Sequence, residues 1–101
     1  MARHGGILVL AAAILAAPPT LAAGDPETGK ALATAWCSGC HAVETAGTDA
    51  APPLSAIANR PGSSPDYLFG WLSDPHPPMP QLSLTRQEIA DLIAYLQTLR
   101  P

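Results

Sequence analysis

The five residues Cys37-Ser38-Gly39-Cys40-His41 constrain this chain more than any other stretch, because they hold both of its cysteines. Two thiols at i and i+3 with an imidazole directly behind them serve three chemistries. These are a thiol–disulfide pair, a corner of a zinc site, and covalent haem attachment. The surroundings decide among them. Asp25-Pro26-Glu27 reads as a helix start, with an acidic N-cap, Pro at the first helical position and an acid in the first turn. Gly29, Leu32, Ala33, Trp36 and Cys40 follow as an apolar stripe at helical spacing. The pair therefore closes a helix. A thiol–disulfide site opens one instead, where the helix dipole lowers the thiol pKa, and it sits in a strand–helix–strand setting that is missing here. A structural zinc site takes four ligands. Cys37, Cys40 and His41 offer three, and His76, in a proline-rich loop, brings no second ligand pair with it. Haem uses the whole stretch. Cysteines at i and i+3 share a helix face and add across the two vinyl groups of one porphyrin, and His41 returns to that face beneath the iron. The expectation is one covalently bound haem c, with Cys37 and Cys40 as thioethers and His41 on the iron.

The N-terminus supports that choice. Arg3 and His4 precede an apolar run from Ile7 to Ala17, which Pro18-Pro19 breaks before the small residues Thr20-Leu21-Ala22. That is the layout of a secretory signal, cut near Ala22 or Ala23. The alternative is a membrane anchor, since no charge falls between Gly5 and Gly24. The prolines and the alanine-rich end favour cleavage. Residues 1–23 are thus read as signal peptide and 24–101 as the single domain, with no membrane span in the mature chain. A core of that size supplies only about 3–5 kcal/mol without a staple. It is also poor in large side chains, with one Phe, two Trp and two Tyr, so a large apolar cofactor would fill the middle. Eight acids against five bases give a net charge of −3, and no basic cluster is present. This argues against a nucleic-acid partner and against steering toward an acidic protein.

The remaining chain reads as helices and loops. Residues 42–53 carry loop signals, and Leu54 to Ala58 make a short helical turn. Ser64-Pro65-Asp66 repeats the cap-then-proline start and opens a helix to about Ser73, presenting Tyr67, Leu68, Trp71 and Leu72. A rigid loop follows, Asp74-Pro75-His76-Pro77-Pro78-Met79-Pro80. Thr85 and Glu88 then form a capping box, with Leu84 and Ile89 as a staple. Ile89, Leu92, Ile93, Leu96 and Leu99 give that last helix its buried face. Nothing alternates like a strand. The fold class is all-α, three to four helices around one haem.

From about Gly24 to Leu99 the chain resembles the small bacterial class I cytochromes c. The likeness lies in the haem motif, in Gly29 eight before its first cysteine, and in Tyr95 within Ile93-Ala94-Tyr95-Leu96. In that family these two positions pack the first and last helices together. Ala51-Pro52-Pro53-Leu54 is similar to the family's Gly-Pro-x-Leu, with Ala51 where Gly is usual. The resemblance implies that the Pro52 carbonyl accepts the proton on the far nitrogen of His41. It also implies a distal methionine in a loop ahead of the last helix, which Met79 matches. Pro78 and Pro80 pre-organise that residue. His76 is the rival ligand, and a gap-filling role for Met79 is the plain alternative. Trp36, Tyr67 and Trp71 are candidates to line the pocket, Trp71 and Arg60 also to meet a haem propionate; simple packing of the aromatics and an exposed loop arginine are the first explanations for them.

With His and Met both bound, no iron position is open for chemistry. The sequence is thus read as a periplasmic, monomeric, non-enzymatic carrier, passing single electrons between partner proteins. The alternatives are a haem subunit of a dehydrogenase or oxidase complex, and a ligand-binding sensor with an open distal side.

Overall fold

The computed structural model describes residues 5–6 and 23–101. Apart from Gly5, Gly6 and Ala23, the expected export signal lies outside the described residues.

Four helices and one small hairpin make up the described chain. Helix α1 spans Pro26–Trp36, and the Asp25 carboxylate caps it by accepting from the Glu27 N–H at 3.1 Å and the Thr28 hydroxyl at 2.6 Å. These hydrogen bonds, that of Thr28 first, hold the Asp25 carboxyl below its usual range. Helix α4, Arg86–Thr98, starts with the expected capping box: Thr85 Oγ1 accepts from the Glu88 N–H at 3.1 Å, and Glu88 Oε1 accepts from the Thr85 N–H at 2.9 Å. Such a cap contributes about 1 kcal/mol. Between them lie α2, Leu54–Ala58, and α3, Pro65–Ser73, the latter capped by Ser64.

The core forms where α4 lies across the other helices. Ile89, Leu92, Ile93, Tyr95 and Leu96 are buried against Ala33 and Cys37 from the first helix segment, Leu54 and Ala58 from α2, and Leu68 from α3. Contact between α1 and α4 is backbone-close. A Cβ on Gly29 would stand 1.9 Å from the Asp91 carbonyl oxygen and 2.8 Å from Tyr95 Cβ. Gly29 thus admits the α4 backbone itself, rather than the tyrosine ring. Buried Asp91 locks the same crossing, its Oδ1 accepting from the Asp25 N–H at 2.9 Å and from Gln87 Nε2 at 3.1 Å.

Three local expectations are corrected. The stripe through Cys40 implied one continuous helix, but α1 stops at Trp36 with Cys37 as its C-cap. The chain must turn there to bring His41 back toward residues 51–52. Trp36, expected on the buried stripe, is 59% exposed and lies on the lining of the cavity described below. Residues 42–47 contain a hairpin and not only loop: β1, Ala42–Val43, pairs antiparallel with β2, Ala46–Gly47. Glu44 turns it with φ 52°, and Gly47 has φ 96° and no room for a Cβ against the His41 carbonyl.

Glu44 anchors this hairpin to the helix pair. Its carboxylate meets Lys30 Nζ at 2.9 Å and accepts from the Tyr95 hydroxyl at 3.2 Å. The Lys30 hydrogen bond is the main cause that holds its carboxyl below the usual range. A depressed folded pKa means that the stabilisation is present above the ordinary carboxylate value and is lost as pH falls through the lowered one. Lys30→Met is therefore expected to move the Glu44 titration upward, as read from its carboxyl carbon shift. An unmoved titration would remove Lys30 as the cause.

Candidate functional site

The end of α1, the 51–54 segment, α3 and the loop before α4 enclose a cavity of about 580 Å³. Its walls are mostly apolar, including Leu68, Leu92 and Leu96. All ten residues singled out from sequence (Cys37, Cys40, His41, Pro52, Arg60, Trp71 and Met79, with Trp36, Tyr67 and the rival His76) lie on its lining.

Each arrives there for a local reason. Cys37 caps α1 through its N–H to the Ala33 carbonyl at 2.8 Å. The Cys40 and His41 N–H groups both donate back to the Cys37 carbonyl, at 3.2 and 2.9 Å. The motif is therefore a separate helical turn beyond α1, which keeps the two thiols and the imidazole on the cavity. His41 is held next: Ala51 N–H donates to the Cys40 carbonyl at 2.7 Å, and His41 pairs with Ala51 as an isolated parallel bridge. This brings His41 Nδ1 to 2.5 Å from the Pro52 carbonyl oxygen. A carbonyl only accepts, so Nδ1 carries the proton and Nε2 the lone pair. Ala51, in the family's glycine position, makes these bonds without positive φ.

On the loop side, the Met79 N–H donates to the His76 carbonyl at 3.0 Å and closes a tight turn. Met79 Sδ accepts from Trp71 Nε1–H at 3.3 Å. The indole also packs on the His76 ring, with centroids 4.6 Å apart. This donor–thioether pair has no sequence signal beyond two residues eight apart. The leucine walls did have one, since the α4 period that buries Leu92 and Leu96 also points them at the cavity.

The geometry sorts the three candidate chemistries. Cys37 is buried, and burial pushes its thiol pKa up, which opposes a reactive thiolate. Among the described residues no three His, Cys, Asp or Glu side chains converge as zinc ligands. What remains is a motif facing an apolar cavity with a thioether on the same lining. The cytochrome c family model matches residues 26–100. The chain belongs to the cytochrome c family.

Two relatives show how far the likeness runs. Cytochrome c-552 of Bradyrhizobium diazoefficiens is 36% identical over 97 residues, covering 93% of each chain. A cytochrome c-553-like protein of Synechocystis is 37% identical over 76 residues, 75% of this chain and 70% of the relative. Cytochromes c carry covalently bound haem c and transfer electrons through it, and this cytochrome has a cavity whose residues fit that group. Its lining presents two thiols, not joined in a disulfide, an imidazole with a fixed free Nε2, and apolar walls. Among the described residues no helix is long and apolar enough to cross a membrane.

Proposed function

We propose that this chain is an exported, monomeric electron carrier that serves periplasmic redox partner proteins through one haem c with both iron faces closed by protein. The supporting observation is the single cavity lining shared by Cys37, Cys40, His41 and Met79, with the His41 ring fixed by Pro52. On this reading Cys37 and Cys40 are the thioether positions, and His41 Nε2 and Met79 Sδ are the iron ligands. Haem c, when bound, supplies a one-electron iron couple.

The chain's own residues do the rest. Pro52 keeps the proton on Nδ1, and the hydrogen bond makes Nε2 a stronger donor. The Met79 thioether, a weaker donor than a second imidazole or a thiolate, raises the potential. Leu68, Leu92 and Leu96 exclude water around both. Arg60 is the single Arg or Lys on the described lining, which suits it to a propionate. Filling both axial positions leaves no site for a substrate, so the chain transfers electrons and catalyses nothing else. Export rests on the Arg3-led apolar run and its proline break.

Carbon monoxide tests the closed site. The reduced protein at neutral pH is expected to bind none, and the oxidised protein to show the weak far-red band of a methionine–iron bond. Rapid binding would replace this reading with that of an open-sided sensor.

A further inference from the structure

The Met79 side chain is held from two directions, and only one of them is its own loop. The backbone bond to His76 closes the turn, whereas the sulfur is gripped from α3 by Trp71 Nε1–H at 3.3 Å. Indole nitrogen only donates, and a thioether sulfur has two lone pairs, one of which can accept while the other binds a metal. The indole is itself fixed by packing on His76 and by stacking with Tyr67 one turn earlier, with centroids 6.5 Å apart. His76 thus touches both ends of the contact, through its ring on Trp71 and its carbonyl on Met79. In this structure the Trp71 N–H is given to a partner eight residues away on the adjoining loop.

We propose that Trp71 is a positioning residue for the distal ligand. Its N–H selects which sulfur lone pair faces the iron and withdraws electron density from the thioether. A hydrogen-bonded sulfur is a weaker donor, so it stabilises oxidised iron less and raises the potential. The proposal rests on Met79 being the distal ligand.

The test is a double-mutant cycle on the haem-loaded protein, read as midpoint potential. Trp71→Phe is expected to lower the potential and move the far-red methionine band, and to leave the potential unchanged when introduced into Met79→Ala. A potential that stays or rises in Trp71→Phe overturns the proposal. So does an equal fall in both backgrounds, which would mean that Trp71 acts on the haem directly. If Met79→Ala itself changes neither the potential nor carbon monoxide binding, the axial reading fails instead. Should Trp71→Phe not fold, the Trp71 indole proton of the ferrous protein carries the test. It should exchange slowly with solvent in the parent and rapidly in Met79→Ala; slow exchange in both, or rapid exchange in both, overturns the proposal.

Discussion

Gly29→Ala is expected to lose about 3 kcal/mol or more of folding stability, at the upper end for a single added methyl group. The reason is what the methyl meets. Its carbon would stand 1.9 Å from the Asp91 carbonyl oxygen, 2.6 Å from the carbonyl carbon and 2.8 Å from Tyr95 Cβ. None of these atoms can swing aside by a side-chain rotation. The two helices would have to part, and parting them pulls the Asp25 N–H from Asp91, a bond of 2.9 Å. The gain in helix propensity from Gly to Ala, about 1 kcal/mol, is too small to compensate. Gly70→Ala is the matching control, because that glycine is also mid-helix but a Cβ there would have nothing within 4 Å. It is expected to be neutral or stabilising by up to about 1 kcal/mol. Urea unfolding of the haem-loaded variants separates the two signs. A Gly29→Ala protein as stable as the parent would refute the close helix crossing.

The contrast between those glycines shows where sequence reading stops. Local signals were legible: Asp25 and Ser64 cap helices, Pro26 and Pro65 follow them, and Thr85 with Glu88 forms its box, because each involves neighbours in the chain. The cysteine–histidine motif was legible too, since its spacing is set by the chemistry that it serves. The resemblance pointed to the contact between His41 and Pro52, which spacing alone could not have found. Longer-range facts were hidden. The apolar stripe runs on to Cys40, but α1 ends at Trp36, because the need to return His41 toward Ala51 and Pro52 is tertiary. The hairpin at Ala42–Gly47 has no alternation to announce it. It is held by Glu44 reaching Lys30 and Tyr95, and Tyr95 lies 51 residues away. The bond between Trp71 and Met79 likewise exists only once α3 and the proline loop fold onto one cavity.

Met79→Ala is expected to convert a closed site into an open one. The reduced variant should bind carbon monoxide rapidly where the parent binds none, and the far-red band should vanish from the oxidised spectrum. Replacement of the thioether by water or a stronger donor should lower the midpoint potential by on the order of 0.1 V, a fraction of the ~0.8 V range that axial ligands span. Folding stability should fall as well, by about 1–3 kcal/mol, because the half-buried Trp71 N–H loses its acceptor. The carbon monoxide, potential and stability readouts would also follow if Met79 merely filled space, since alanine leaves a void under either reading. Met79→Leu separates them. Leucine keeps most of the volume and the apolar packing, but it has no lone pair for a metal or for Trp71. A space-filling Met79 would make the leucine variant match the parent in spectrum, potential and carbon monoxide binding. A ligating Met79 requires the leucine variant to lose the band and the high potential as fully as alanine does, with carbon monoxide entering more slowly past the larger side chain.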